Sequence, residues 1–512
     1  MMMKSATLWI GVFACCLVLL GDTNTAECDD QVPYYPTGKE VFRSNIYRPG
    51  QVVPERGQGP IRLGLGPHLF VDDYLIQSST KVKRRVNRPQ RDYQIPNPLV
   101  TGKEDHSGQN QVNVIRDPDT GRFRIWYNSY KDQYKDGKSR FATMESADGI
   151  HWIRPHQVLN DPGEIVYGCS VLDDGPNVDD PSQRYKLAWW SWTWTRRSPG
   201  HNIVSPTGGL TIATSADGLA WTRLKHEPVL YHNHDINDLF RDTLRDHYVA
   251  IVSGYTTGPH WSGKRRVTMQ STSKDLINWE APWFIITPDD PVDKGQTQFY
   301  AIGGHLIRGD LWIGLVKVLR DDLVSPGVPK GAYGVGYTTL AWTRDGKHWT
   351  RDREPFFEPD PDVNAWDHAH AWLDYQLPVD DEVYIYYGGY KSGHKWNRFE
   401  ERQIGLVRMK RDRYVSRDAG PEGGTLRTPP VVLAGQTITV NAAVKGELRV
   451  ELLDGSGKPI PGFAASDCEP LRGDDLAHRV RFKRTLTTLQ DKPVHVAFHL
   501  RDAKLYGFAL VE

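Results

Sequence analysis

Carboxylates, imidazoles and amides gather at five places in this 512-residue chain. The first is Glu104-Asp105-His106 with Gln109 and Asn110, and the second is Asp161-Pro-Gly-Glu164. The third runs from His232 to Asp238, the fourth from Asp293 to Tyr300, and the fifth is Trp366-Asp367-His368-Ala-His370. Such side chains exchange protons, and burial or crowding moves their pKa values toward the range where that is useful. Two chemistries follow. A pair of carboxyl groups can work as acid and base. Alternatively His232, His234, Asp235, Asp367, His368 and His370 supply ligands for a divalent metal, with strand alternation putting His368 and His370 on one face. No stringent metal signature is present, no residue is assigned as a metal ligand, and the cofactor stays unknown. One divalent cation on the molecular axis would suit either chemistry.

A repeated phrase tells how these places are brought together. Ser146-Ala-Asp148-Gly149-Ile-His-Trp152 returns as Ser215-Ala-Asp217-Gly218-Leu-Ala-Trp221, as Ser273-Lys-Asp275-Leu-Ile-Asn-Trp279 and as Thr343-Arg-Asp345-Gly346-Lys-His-Trp349. The tryptophans are 69, 58 and 70 residues apart, and a degenerate copy, Lys410-Arg-Asp412-Arg-Tyr414, follows. Asp-Gly reverses a strand because Gly accepts positive φ, and the Trp anchors the next strand. Repetition at this period predicts one supersecondary unit set around an axis.

Each copy closes a unit of four short strands, five times over. The expected fold is therefore all-β, a five-bladed β-propeller followed by a small C-terminal β-sandwich. The second strands, such as Leu187-Ala-Trp-Trp190 and Ile385-Tyr-Tyr387, are apolar throughout, as strands sandwiched between neighbouring sheets must be. The expected boundaries are 1–26 for a signal peptide and 27–100 for a tether with one strand, His68–Gln77, packing on the propeller. The propeller takes 101–420 and the sandwich 421–512. In a propeller the inner strands converge, so the five polar places would meet at one mouth.

Lys+Arg and Asp+Glu each total 63, which leaves no global field for nucleic acid or an acidic membrane. Lys4, the apolar run Leu8–Leu20 and the small-residue site at Asn24-Thr-Ala26 read as an export signal, so a secreted or periplasmic protein is expected, free of the membrane after cleavage. Cys28, Cys169 and Cys468 then remain, too few and too scattered for a disulfide framework.

Five blades, the Asp-Gly-x-x-Trp hairpin, an export signal and a trailing sandwich resemble the five-bladed glycoside hydrolases of the family-43 and family-32 type. The resemblance covers roughly residues 100–420 for the propeller and extends to 512 for the two-domain layout. It is one of architecture, and no catalytic residue transfers by motif. It implies a carbohydrate substrate and two carboxyl groups flanking the scissile bond. Asp235 and Asp367 head inner strands and are the first candidates, with Glu164 and Asp105 next. His106, Asn237, Gln298 and His370 would then bind hydroxyl groups, while Tyr300 and Trp366 would stack on sugar rings. A non-catalytic glycan- or protein-binding propeller and a metal-dependent hydrolase or lyase are the alternatives.

Overall fold

A computed structural model describes residues 45–50, 56–130, 139–163, 167–194, 206–232 and 234–512, leaving the expected signal peptide and Glu164 outside the described residues. The side chains of Gln109 and Asn110 lie outside them as well. The chain is all-β, with Arg398–Glu401 the one α-helix among the described residues. No helix among them is long and apolar enough to cross a membrane.

The strands between residues 107 and 410 form antiparallel meanders. The first is Ser107–Arg116, Phe123–Ser129, Arg140–Ser146 and Gln157–Val158. The second is Tyr167–Asp173, Tyr185–Trp194 and Pro206–Ser215, whose far edge pairs with both Thr222–Arg223 and Leu230–Tyr231. Asn237–Asp242, His247–Gly258, Trp261–Ser273 and Trp283–Ile286 make the third. Thr297–Arg308, Leu311–Arg320, Val335–Thr343 and Thr350–Phe357 make the fourth, and His370–Val379, Glu382–Tyr390 and Gln403–Lys410 the fifth. A lone parallel bridge, Gly336 to His370, ties the fourth to the fifth, so hydrogen bonding alone joins them into one sheet.

The first strands touch in cyclic order. Ser107–Arg116 lies beside Tyr167–Asp173, then come Asn237–Asp242, Thr297–Arg308 and His370–Val379, which returns to Ser107–Arg116. Apolar clusters fill the gaps between successive sheets. Trp126 and Phe141 pack on Leu187 and Trp189, Leu210 on Val252, Val249 on Trp312, Leu340 on Ile385, and Tyr386 on Ile125. The apolar second strands are thus covered on both faces.

The repeated phrase folds alike in all four places. Asp148 Oδ1 accepts the N–H groups of Ile150 and His151, and the Ser146 hydroxyl accepts the N–H of Gly149. Asp217, Asp275 and Asp345 take the equivalent pairs. These are Asx turns built on the short carboxylate. Gly149 has φ 75°, whereas the third copy places Leu276 at φ 65°, where its buried side chain offsets the backbone strain.

The fifth meander has three strands of its own, and residues from before the first unit complete its edge. Gln90 and Val100 bridge to Arg408 and Ile404. The segment expected as a single strand at 68–77 does something else. Gly66–Leu69, Ser78–Thr80 and Lys83–Val86 join a sheet with Val415–Ala419, Gly424–Arg427, Leu471–Arg479 and the 17-residue strands Thr437–Leu453 and His495–Val511. Between the first two of these strands the chain turns, because Asp72 and Asp73 are claimed by arginines. Arg344 pairs with Asp72 at 2.8 Å, and Arg417 with Asp73 at 2.8 Å. The C-terminal sheet encloses its own core of Phe70, Val440, Leu448, Phe463, Phe498 and Leu505.

Candidate functional site

Loops leading into first strands and loops joining second to third strands emerge on the same side of each meander, because every hairpin reverses direction. In the third, fourth and fifth meanders these loops bring a polar group together around Tyr300. Arg266 starts the chain of contacts. Its Nε–H donates to His234 Nε2 at 3.0 Å, and its Nη1 donates to Gln298 Oε1 at 2.6 Å. Nη1 also lies 3.4 Å from Asp321 Oδ2, which accepts Gln298 Nε2 at 2.8 Å. His394 Nδ1 sits 3.1 Å from Asp321 Oδ1. On the other side His234 Nδ1 is 2.7 Å from Ser253 Oγ and 3.2 Å from Asp235 Oδ1. His234 and Arg266 therefore stand between Asp235 and Asp321, with Asp235 Oδ1 beside the neutral ring but without a hydrogen-bond partner among the described residues.

Aromatic rings form the floor. Tyr300 lies 4.8 Å from Trp372 and 5.2 Å from His234 between centroids, and the Arg266 guanidinium stands 5.0 Å above it. His370, fully buried, stacks on Tyr390 at 4.8 Å and lies 5.9 Å from His394. Among the described residues neither ring nitrogen of His370 has a hydrogen-bond partner, and neither does His394 Nε2. About a quarter of each carboxylate side chain stays open, 23% for Asp235 and 26% for Asp321.

The charge states follow from the contacts. Arginine cannot lose its proton here, so His234 Nε2 must carry a lone pair and the ring is neutral with its proton on Nδ1. Burial drives the same way, lowering His234 to about 3 against the opposing pull of Asp235. Burial alone would raise Asp321, but His394, Arg266 and Gln298 overcome it and hold the carboxyl down at about 2. Asp321 stays ionised. Burial also lowers His394 to about 4 and pushes the Tyr300 phenol up.

Deeper between the inner strands is a second acidic pair. Asp238 accepts the Ser170 hydroxyl at 2.6 Å and faces His305 Nε2 at 3.4 Å. Asp374 holds Lys317 and accepts the Val112 N–H at 2.5 Å. The Asp238 side chain is 21% exposed. Burial first, and then Asp374, raise its carboxyl to about 7.

Of the sequence candidates, Asp235, Gln298, Tyr300 and His370 belong to this assembly. Asn237 is buried in the inner strand, where its carbonyl accepts Gln111 Nε2 at 3.1 Å. The remaining described candidates are engaged elsewhere. Asp367 accepts Arg91 Nε and Nη2 on one oxygen, at 3.0 and 2.7 Å, together with the Tyr387 hydroxyl at 3.0 Å. Trp366 packs on Tyr387 and covers Gly389 and Gly405. Asp105 is gripped by Arg154 at 2.8 and 2.9 Å and by the Thr101 N–H. His106 meets His156 edge-on at 5.6 Å. His368 lies between the carbonyls of Asp360 and Pro326, apart from His370, so the expected histidine–aspartate ligand cluster is split. Among the described residues no three His, Cys, Asp or Glu side chains converge to hold a metal ion.

Arg266, Asp321, His394 and Lys395 were not singled out from the sequence. Their signal was positional. Asp321-Asp322 and Gly393-His394-Lys395 follow the second strands of the fourth and fifth units, and Arg266 lies in the first half of the third strand of the third, Trp261–Ser273.

No family model and no curated protein matches the chain. Solved structures do resemble it at a distance. One belongs to the GH130 family of mannoside phosphorylases, described as containing glycoside hydrolases that target β-1,2 mannosidic linkages in Candida mannan. It is 16% identical, covering 64% of this chain and 95% of its own at a TM-score of 0.41. The family-32 β-fructofuranosidase of Bombyx mori is 13% identical over 82% of this chain and 95% of its own, TM-score 0.40. The β-1,2-mannobiose phosphorylase of Listeria innocua is 12% identical over 65% and 97%, TM-score 0.40. The chain thus resembles, distantly, solved glycoside hydrolases and mannoside phosphorylases.

Proposed function

We propose that the five meanders act as blades of a propeller and that the protein is an exported glycoside hydrolase with its active site at the mouth around Tyr300. The observation that carries this reading is the series Asp235–His234–Arg266–Asp321: two partly open carboxylates held apart by a neutral imidazole and a guanidinium, over aromatic rings. Cleaving a glycosidic bond requires one carboxyl group that delivers a proton and another that acts as base or nucleophile. Asp321, held ionised, takes the second role, which leaves proton delivery to Asp235. Gln298, His394 and Tyr300 surround the same space with hydrogen-bonding groups and a ring face, the combination that sugar hydroxyls and sugar faces require. Asp367 and Asp105 serve as structural ties through Arg91 and Arg154.

Incubating the purified protein with a panel of plant, algal and fungal polysaccharides, and following released reducing ends, tests the reading. It predicts release from at least one glycan by the wild type and its loss in Asp235→Asn. Release that is equal in the two would refute it.

A further inference from the structure

The fourth meander carries a cavity that the proposed hydrolysis leaves unused. Successive residues of a strand point to opposite faces. Gln298 and Asp321 join the assembly around Tyr300, whereas their sequence neighbours Thr297 and Arg320 line a separate space of about 140 Å³. Its floor is Phe299 and Val318, at the edge of the apolar layer shared with the third meander. Tyr337 and Thr339 enter it from the third strand, Arg351 and Arg353 from the fourth. The loop ahead of the first strand closes it with Asp293 and Lys294. Gly295, at φ 54°, keeps that loop close, because a Cβ there would run into the Asp322 carboxylate and the Arg320 guanidinium.

Four cations and two carboxylates line this space, and both carboxylates are already engaged. Asp293 accepts Arg351 Nη2 at 2.6 Å and the Asp289 N–H stands 2.8 Å from the same oxygen. Asp352 pairs with Arg84 at 2.8 Å. Arg320 is matched by Asp322, which accepts its Nε and Nη2, both at 2.8 Å. Lys294 and Arg353 have no carboxylate partner among the described residues, and Arg353 Nη2 donates to the Val292 carbonyl at 3.0 Å. With Arg84 and Asp322 included, five cations meet three carboxylates, an excess of two. Lys294 and Arg353 are also the exposed members of the lining, so solvent reaches the cavity at these two side chains.

A hydroxyl gives the second sign of a ligand. Thr339 is 3% exposed, and its Oγ1 has no hydrogen-bond partner among the described residues. A buried hydroxyl left unpaired is costly, and an acceptor brought into the cavity would remove that cost. The volume is close to the roughly 150 Å³ of an apolar cavity that takes up benzene, while charged walls reject an apolar guest.

We propose that this cavity binds a small oxyanion, sulfate or phosphate, either free or as an ester on a sugar, held by Lys294 and Arg353 with the Thr339 hydroxyl as a further donor. Guanidinium supplies directional donors and ammonium a compact point charge, a combination fitted to a group with several exposed oxygens. The inference stands apart from the reading of the mouth as a glycan site.

The test is calorimetric titration of the intact protein with inorganic sulfate, inorganic phosphate, glucose 6-sulfate and glucose at constant ionic strength. Wild type is compared with Thr339→Val, with the double variant Lys294→Met/Arg353→Met, and with a control that removes two exposed cations elsewhere, Lys492→Met/Arg501→Met. The wild type and the control are expected to bind at least one of the oxyanions about tenfold or more tighter than glucose, the size of one charge-assisted contact. The double variant should lose that preference. Thr339→Val should weaken binding about fivefold while its unfolding midpoint stays at or above wild type, because only an unpartnered hydroxyl is removed. A threonine with a purely structural role would lower the midpoint and leave the affinity unchanged. Tighter binding of glucose 6-sulfate than of the free anions assigns the oxyanion to a sugar ester, and the reverse order assigns it to a free anion. The proposal is overturned if no oxyanion binds better than glucose, if the preference survives in the double variant, or if the control loses it equally.

Discussion

Arg266 donates its Nε–H to Nε2 of His234 at 3.0 Å, which fixes the imidazole as a neutral ring with its single proton on Nδ1. That proton faces Ser253 Oγ and, slightly farther off, Asp235 Oδ1. One arginine therefore sets the hydrogen-bonding polarity from Ser253 through His234 to Asp321.

Replacing Arg266 with Met should release this constraint. His234 is lowered to about 3, by burial first and by Arg266 among the remaining causes. Without the guanidinium its pKa rises, and NMR titration of ring-labelled histidine should show the shift. An unchanged His234 titration would mean that burial alone keeps the ring neutral.

Asp367→Asn should act on stability. Its carboxylate is 2% exposed and its neutralisation leaves Arg91 facing an amide, so a loss of roughly 2–4 kcal/mol is expected. Denaturant unfolding measures this. Any glycan cleavage, normalised to folded protein, should persist.

Asp238 should make the protein less stable as pH rises. Its folded carboxyl, at about 7, binds a proton more tightly than an unfolded carboxyl near about 3.9. The stability it contributes is complete below the unfolded value and is lost as pH climbs through the folded one. Comparing unfolding midpoints at about pH 4 and about pH 8, Asp238→Asn should flatten this fall. A slope identical to wild type would show that Asp238 does not titrate there.

The turn aspartates oppose that trend at low pH. Backbone N–H groups of Asn278 and Ile277 hold the Asp275 carboxyl well below the usual range. Its contribution is present above the unfolded pKa and is lost on acidification through the lower, folded one. Asp275→Asn should therefore lose less stability than wild type between about pH 5 and about pH 2, as followed by circular dichroism.

Gly149→Ala should destabilise by about 1–3 kcal/mol. Its φ is 75°, and an added Cβ would stand 2.7 Å from the Tyr386 hydroxyl, which donates to the Gly149 carbonyl at 2.8 Å. The midpoint of denaturant unfolding checks it.

The repeats were legible because Asp-Gly and Trp do local work, and local hydrogen bonds such as those to Asp148 and Asp217 are written within six residues. So were the apolar second strands, whose covered faces leave a continuous hydrophobic signature. The fate of Asp367 was hidden because its partner, Arg91, lies 276 residues away and carries no periodic mark. Asp72 and Asp73 were read as part of a strand for the same reason: Arg344 and Arg417, far along the chain, decide that the backbone bends there. Asp321 and His394 carry no motif of their own and sit in the loops after second strands, away from the polar segments that enter each unit. Alternation of strand direction puts the loops after the second strands on the same side as the loops that enter the first strands.

The most direct measurement compares kcat/KM of Asp235→Asn, Asp321→Asn and Asp367→Asn on the first glycan that the wild type cleaves. Asp235→Asn and Asp321→Asn should each fall by about a hundredfold or more with unfolding temperatures near wild type, while Asp367→Asn loses stability and keeps its rate. Full activity in either of the first two, or a collapse confined to folded Asp367→Asn, would contradict the placement of the chemistry between Asp235 and Asp321.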